Sequence, residues 1–430
     1  MKKCFLVWVA LGMVLVSMSG CSEIFGTKHL AVTNDVFKAG KKDPATATDA
    51  IGYAALIPFW EGFDHPTDVC IGFDELVYVT DAKGLHVLDR AGREYRTIPF
   101  EGATSVVEDR MLNIYVAARI DTVIKDVDPN VSWNLAAIFK IHNANGSNSG
   151  DIVYMDTLTQ PFADASRSTF ASQTSRLKKN DPQSEELVQF TGLTILGDNT
   201  LYVTRRGPVN PTNEVAAPDN IVLEFQPVMV NGQQTDKMRN VRQIRSLSPT
   251  VPSLISGIGM SNIISFVAPP QRESFTTDRS FIIAQADQSM NIPYRVLWIN
   301  AVETTDGLVF QPNTSLLQQD TSKANGFLYE LNKFKEPTGL AYAADGTNYI
   351  FVTDAGTDSL YIFQSNGYEG VTPPVGSDAK KPVIVSFGGI GNGPKNLDDP
   401  SGVAYFDKVV YVADKNNNRI TRYKLTTDFE

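Results

Sequence analysis

Short apolar runs, with polar residues alternating between them, recur along the chain after about residue 50. Residues 76–81 read LVYVTD, residues 201–204 read LYVT, and residues 410–414 read VYVAD. Each run has four to six residues, is rich in β-branched and aromatic side chains, and is bounded by Gly, Asp or Asn. Runs of this length and composition are typical of β-strands. The pattern predicts an all-β fold built from many short strands.

The same strand recurs as the middle of a repeated unit. Six copies are visible, at residues 76–81, 114–116, 201–204, 281–283, 350–354 and 410–414. A further apolar strand follows each copy, for example at residues 137–141 and 419–423. The first, fifth and sixth units are clear, whereas the second, third and fourth rest on spacing. The count of six therefore leaves five or seven units as alternatives.

The clearest unit spans residues 387–425. It has a glycine-rich approach, then Asp399-Pro400-Ser401-Gly402, then the strand that ends on Asp414, and then Arg419-Ile420 after a polar turn. This order resembles the NHL repeat. The resemblance implies that each unit is one four-stranded antiparallel blade of a six-bladed β-propeller, since a single blade cannot bury both of its faces.

The two ends of the repeated region predict how the ring closes. The last unit runs out at Leu425, which leaves room for three strands and not four. Residues 55–59, ALIPF, look like the outer strand TIPF at residues 97–100. We therefore expect the N-terminal segment to supply the fourth strand of the last blade, which leaves no open sheet edge.

The first 21 residues have the features of an export signal. Lys2 and Lys3 precede an apolar run at residues 5–16, which is too short to span a bilayer. Met18-Ser19-Gly20-Cys21 resembles a bacterial lipobox, and the resemblance implies cleavage before Cys21 and lipidation of its thiol; a plain signal peptide is the alternative. We predict a signal peptide at 1–20, a flexible tether at 21–50 and the propeller at 51–430.

This organisation predicts a location in the cell envelope. Ser22 follows the cysteine where Asp would favour retention at the inner membrane, so in a Gram-negative cell the outer membrane is expected. The net charge of -10 and the pI of about 5.1 argue against nucleic acid as a partner. Cys70 is then the one remaining cysteine, which excludes a disulfide framework, and its apolar neighbours predict a small buried hydrophobe.

Three aspartates recur at the ends of middle strands, just before tight turns. These are Asp81, Asp354 and Asp414. Aspartate at such a position accepts hydrogen bonds from the N–H groups of the turn, so we predict a structural role for all three. The aligned positions in the weaker units hold Ala118, Arg205 and Gln285.

Four insertions mark a candidate binding face. They cover residues 119–134, 160–186, 205–219 and 285–293, and by the family resemblance they lie on one half of one face. Long loops in a compact domain are usually functional, although tolerated drift is the alternative. The candidate partner-binding residues are three arginines for a carboxylate or phosphate, with acidic and aromatic neighbours: Arg119, Arg205, Arg206, Asp121, Asp287 and Trp133. For Trp133, packing in the core or within the insertion is the favoured interpretation, and partner contact is the alternative.

These patterns favour a membrane-anchored, extracytoplasmic binding or scaffold module that uses this face for a protein or small-ligand partner, with no cofactor. The alternative is a metal-dependent enzyme on the same fold. Lactonase-type propellers hold calcium with acidic and amide side chains, and related lyases use several histidines. The four histidines here, at positions 29, 65, 86 and 142, do not form such a set, while acidic candidates for calcium are abundant.

Overall fold

The structure, a computed structural model, describes residues 51–123, 130–144, 151–159, 185–207, 221–244, 251, 253–254, 259–267, 277–289 and 291–429. Within these ranges the secondary structure consists of strands and three short 3-10 helices, at Glu185–Leu187, Thr314–Leu317 and Thr426–Asp428. The all-β prediction is confirmed. None of the described helices is long and apolar enough to cross a bilayer.

The strands form six sheets, which are the blades of the propeller. Two short strands come first, β1 (Tyr53–Ala55) and β2 (Trp60–Glu61). Blade one follows with β3 (Asp68–Ile71), β4 (Val77–Asp81), β5 (Gly84–Leu88) and β6 (Glu94–Ile98). Blade two has β7 (Ser105–Glu108), β8 (Ile114–Val123), β9 (Ser132–His142) and β10 (Val153–Thr159). Blade three has β11 (Gln189–Ile195), β12 (Leu201–Arg206), β13 (Ile221–Val230) and β14 (Gln233–Ile244).

The second half of the chain repeats this arrangement. Blade four has β15 (Met260–Ser265), β16 (Phe281–Gln285), β17 (Val296–Thr304) and β18 (Gly307–Pro312). Blade five has β19 (Pro337–Tyr342), β20 (Ile350–Asp354), β21 (Ser359–Phe363) and β22 (Phe387–Gly388). Blade six has β23 (Pro400–Phe406), β24 (Val409–Asp414) and β25 (Arg419–Leu425). Each blade is antiparallel and its strands lie in chain order. The ring therefore has six blades, which removes the alternatives of five and seven.

The N-terminal strands complete blade six, as predicted from the chain ends. Tyr53 pairs with Leu425 and Trp60 pairs with Ile420, both against β25. Between the two strands, the N–H of Leu56 donates to the carbonyl oxygen of Arg422 at 2.8 Å. The added edge is thus two short strands with a break at residues 57–59, where the sequence predicted one strand over 55–59.

A ring of side-chain hydrogen bonds joins the inner strands of neighbouring blades. In each blade a Thr or Ser hydroxyl donates to a backbone carbonyl oxygen at the start of the next inner strand, so that six such bonds form a closed circle. The donor and acceptor pairs are Thr67 with Ala103, Thr104 with Phe190, Thr191 with Met260, Ser261 with Pro337, Thr338 with Pro400, and Ser401 with Pro66. The same kind of contact between neighbouring blades is therefore repeated around the whole ring.

The three recurring aspartates have the structural role predicted for them. Asp81 accepts hydrogen bonds from the N–H groups of Asp64 and Lys83 at 2.8 and 2.7 Å. Asp354 accepts from the N–H groups of Lys335, Glu336 and Gly356. Asp414 accepts from the N–H of Asp398 and from the guanidinium of Arg419. Each carboxylate ties its own turn to the connection that enters the same blade.

Candidate functional site

The propeller has two faces that can be told apart by its strand ends. The face at the ends of the second strands, marked by Asp81, Asp354 and Asp414, also carries the connections between blades; we call it the upper face. The opposite face, with the turns that join inner to second strands and third to outer strands, is the lower face. Five of the six residues predicted to bind a partner lie at or beyond the upper ends of the second strands in blades two, three and four. The sixth, Trp133, lies at the start of β9, the third strand of blade two.

Blade two extends above this face as a β-hairpin. Ala118 and Ala137 pair at the level where the other blades turn, but the ladder continues for five further pairs, from Arg119 with Ala136 to Val123 with Ser132. The sequence predicted a long loop over residues 119–134, so the structure corrects its conformation. Val131, Trp133 and Leu135 alternate with polar residues, and this period of two was the available signal for a strand.

Arg119 fastens the hairpin to the segment that leads into blade three. Its guanidinium donates to the carbonyl oxygens of Asn134 and Glu186, both at 2.6 Å, and of Val188 at 3.1 Å. Burial lowers the pKa of Arg119, although Glu186 and other acids nearby oppose the shift. Most of its donors are engaged within the chain, so Arg119 positions the hairpin and is not an open donor for a ligand.

Two more of the predicted binding residues lie beneath the surface. Trp133 is 2% exposed and packs against Leu135 and Val131 in a small cluster inside the hairpin. The side chain of Arg205 is fully buried at the end of β12. Trp133 therefore occupies the packed position that the sequence favoured over partner contact, and neither residue presents its side chain on the upper face.

The remaining three residues reach solvent. Asp121, on the hairpin, is exposed and accepts a hydrogen bond from the Asn134 side chain at 3.0 Å. Arg206 is exposed at the end of β12, and Asp287 is half-buried after β16. The pKa of Asp287 is lowered, first by a hydrogen bond from the Ser289 side chain and also by the charges of Arg206 and Arg295, which places Arg206 near Asp287.

A glycine makes this last arrangement possible. Gly259 has φ +56°, and a Cβ there would lie 2.0 Å from the Cβ of Asp287. Arg295 donates to the carbonyl oxygen of Asp287 at 2.7 Å from the other side. The backbone around Asp287 is therefore held by these contacts, and the charge of Arg206 acts on its carboxylate from a distance. Most of the predicted insertions at 160–186 and 205–219 lie outside the described residues.

The part of the chain that the structure describes contains no candidate metal-binding site. No three His, Cys, Asp or Glu side chains converge there in a way that would hold an ion. His86 lies 2.8 Å from Asp81 and 3.1 Å from the Thr97 hydroxyl, where it links the turn of blade one to its outer strand. Cys70 is half-buried among apolar side chains, a little more open than the buried hydrophobe that was predicted.

Comparison with known proteins agrees with this architecture. The family model described as the NHL repeat matches residues 397–423, which covers the end of the approach to blade six and most of its three strands. No curated protein matches the chain by sequence.

Three solved structures illustrate the likeness. An auxiliary nutrient binding protein from Bacteroides thetaiotaomicron is 10% identical with a TM-score of 0.50, over 87% of this chain and 76% of that one. One from Bacteroides ovatus is 11% identical with a TM-score of 0.46, over 87% and 77%. Virginiamycin B lyase from Staphylococcus aureus is 10% identical with a TM-score of 0.41, over 87% and 99%. At these identities the likeness concerns the fold alone. The chain is a six-bladed β-propeller that carries an NHL repeat at residues 397–423.

Proposed function

We propose that this protein is a binding module of the cell envelope, anchored by a lipid on Cys21, whose upper face takes a protein or small-ligand partner. The observation that carries the proposal is the β8–β9 hairpin. It rises above the level at which the turns of blades one, five and six lie, and it presents exposed Asp121 and Val123. A raised edge on one side of a face gives a partner a concave surface to dock against.

The hairpin is held before any partner arrives. Arg119 ties it to residues 186–188, and the Trp133 cluster packs on one side of it. A surface element that is already ordered loses little conformational entropy when a partner binds, so its contacts contribute more of their energy to affinity. This argues against tolerated drift as the origin of the blade-two insertion, because drift does not require a buried tryptophan or a half-buried arginine that bonds three carbonyl oxygens.

Charges of both signs are available on this part of the face. Arg206 offers a planar fork of donors that suits a carboxylate or phosphate, while Asp121 and Asp287 accept from donors. Mixed charge at the rim of an interface contributes more to orientation and specificity than to affinity. The proposed partner therefore carries both acidic and basic groups.

The path of the chain suits an anchor on the opposite side. Tyr53 pairs with Leu425 at the lower end of blade six, so the described part of the chain enters the propeller at its lower face. A flexible tether over residues 21–50, as the sequence predicts, would reach about 30 Å. Two or three acyl chains hold a protein at a membrane where one does not. Such an anchor leaves the upper face accessible, and in a Gram-negative cell the expected membrane is the outer one.

The same fold occurs in a protein described as an auxiliary nutrient binding protein, at a TM-score of 0.50. This supports binding as one use of the architecture and says nothing about the ligand here. The proposal therefore rests on the geometry of the upper face, and the likeness adds only that such a use is compatible with the fold.

The test is site-specific photo-crosslinking of the full chain in its own cells. A benzophenone side chain is placed at Asp121, at Arg206, or, as the control, at Arg93 in the lower turn of blade one, whose side chain is 82% exposed. We expect one discrete adduct from positions 121 and 206 and none from position 93. Adducts from position 93 alone, or equal adducts from all three, would contradict the assignment of the upper face. Point positions are preferable to replacing residues 119–134, since that also removes Arg119 and Trp133 from the packed structure.

A further inference from the structure

The central channel contains a cavity that is separate from the upper face. The inner strands of all six blades line it, together with Phe73 and Val267 beyond the lower strand ends. The space open to water-sized molecules is about 90 Å³. Since one water needs roughly 10–15 Å³ on this measure, the cavity has room for a ligand of about six non-hydrogen atoms.

The wall of the cavity is largely apolar, and its ionisable side chains are acidic. It contains two carboxyl groups, on Asp68 and Glu108, and three aromatic rings, on Phe73, Tyr342 and Tyr405. The described lining residues include no Lys, Arg or His. A few polar groups set in an apolar concave wall are typical of small-molecule sites. The absence of positive charge from the described wall disfavours an anionic ligand.

The aromatic rings are fixed by contacts outside the cavity. Tyr405 stacks on Phe351 with ring centroids 5.1 Å apart, and its hydroxyl donates to Asp345 at 2.6 Å. Tyr342 packs edge-on against Phe266 at 5.0 Å. Rings held in this way need no rearrangement to receive a ligand. Their faces attract cations through the negative charge of the π-system.

Glu108 lies at the boundary between blades one and two and is 2% exposed. Its Oε2 accepts hydrogen bonds from the N–H groups of Phe73 and Asp74. The hydroxyl of Tyr78 lies 3.4 Å from the other oxygen, Oε1. Gly72 makes this approach possible, because a Cβ there would lie 2.6 Å from Glu108 Oε2.

We propose that the cavity binds a small organic ammonium ion, with its charged group toward Glu108 and its methyl or methylene groups against the aromatic rings. This site is independent of the partner-binding face, from which it is separated by the hydroxyl ring at the upper ends of the inner strands. Amines with about six non-hydrogen atoms satisfy the volume, the charge and the apolar wall together.

Because Glu108 can be protonated, binding of the ammonium ion should depend on pH. Burial, followed by the charge of Asp74, raises its pKa to about 8. The groups that face it are Cys70, Asp74 and Tyr78 from blade one and Asp109 just beyond its own strand, and the guanidinium of Arg110 lies 5.6 Å from the centroid of the Phe73 ring. The residues of β11 in the wall are uncharged. A cation beside the carboxyl favours its ionised form. Binding should therefore release a proton at neutral pH, and affinity should rise up to about pH 8.

The experiment is calorimetric titration of the full chain with choline and with its uncharged isostere 3,3-dimethyl-1-butanol. We expect choline to bind saturably, the isostere to bind at least about tenfold more weakly, and Glu108→Gln to weaken choline by a similar factor. Glu303→Gln, the same substitution at an exposed position in blade four, should leave choline affinity unchanged and serves as the matched control.

Three outcomes at a single pH would overturn the proposal: no binding at millimolar choline, equal binding of the isostere, or unchanged affinity in Glu108→Gln. If that variant does not fold, the wild-type protein decides the question. Affinity that rises between about pH 6 and pH 8, with proton release, supports the site, and affinity that is flat over this range contradicts it.

Discussion

Ser401 in blade six donates its hydroxyl to the carbonyl oxygen of Pro66 in blade one, at 2.6 Å and across 335 positions of the chain. The other five bonds of the ring connect blades that follow one another in sequence. This one joins the last blade to the first, beside the point where β1 and β2 complete blade six. The ring is therefore closed in two ways. Backbone pairing of β1 and β2 with β25 closes its outer edge, and the Ser401 side chain joins the last blade to the first beside the channel.

Removing this hydroxyl should weaken the closure. Ser401→Ala leaves the carbonyl of Pro66 without its donor, so we expect a loss of about 1 kcal/mol in the free energy of unfolding. Thermal and urea unfolding measure it. Ser401→Thr is the control, because four of the other five blades carry Thr at this position. An alanine variant as stable as the threonine variant would show that this bond is energetically neutral.

The N-terminal strand should matter through its buried residues. Tyr53 is 2% exposed and its ring lies against Phe351 and Phe387. Tyr53→Ala should cost about 3 kcal/mol or more, because it leaves a cavity at the seam between blades five and six. Ile57→Ala, four residues away and 69% exposed, should change the melting temperature little. Equal effects of the two substitutions would contradict the assigned closure.

Glu108 should make the protein less stable as the pH rises. Its folded pKa of about 8 lies above that of the unfolded chain, so between about pH 4.5 and pH 8 the folded state holds a proton that the unfolded state has released. Glu108→Gln removes this difference. We expect the variant to exceed the wild type in stability above about pH 8, by up to a few kcal/mol, and to match it near pH 4.5. Parallel pH profiles of the melting temperature would refute the assignment.

Asp81 should make the protein less stable as the pH falls, which is opposite to the effect of Glu108. Burial raises its pKa, but hydrogen bonds from His86 and from the N–H of Asp64 outweigh burial, and the pKa is lowered overall. Its contribution is present above the unfolded pKa of about 4 and is lost as the pH falls through the folded value. Asp81→Asn should therefore be destabilised by about 1–3 kcal/mol at pH 7, with a smaller difference in acid. Asp306→Asn, in an exposed turn, is the control.

Lipidation is tested by metabolic labelling with a fatty acid. Wild-type protein should incorporate the label and partition into the detergent phase, and Cys21→Ala should do neither, because the acyl chains provide the membrane affinity. Cys70→Ala, which changes the cysteine inside the propeller, should behave as the wild type. Unlabelled wild-type protein would contradict the anchor while leaving the propeller unaffected.

Local features of the chain were enough to predict the architecture. Strand composition, the repeated Asp before each tight turn and the missing fourth strand after Leu425 depend on neighbours in sequence or on the repeat itself. They predicted a propeller of six blades, with five or seven as alternatives, and its N-terminal closure. The hydroxyl ring left a signal that was overlooked, a Thr or Ser at the same inner-strand position in all six blades, including the three whose other motifs are weak.

The candidate site was less predictable. The sequence gives no way to tell apart Arg119, Arg205 and Arg206. In the structure, Arg119 donates its hydrogen bonds to backbone carbonyl oxygens, Arg205 is buried and Arg206 is exposed. The three arginines differ because different side chains and carbonyl oxygens of the adjacent blade lie within hydrogen-bonding distance of each. The cavity depends in the same way on six inner strands brought together from across the chain. The sequence by itself thus determined the propeller architecture and its N-terminal closure, whereas the structure settled the number of blades at six. Only the tertiary structure decided which polar residues face solvent, because burial arises from contacts between blades that are distant in sequence.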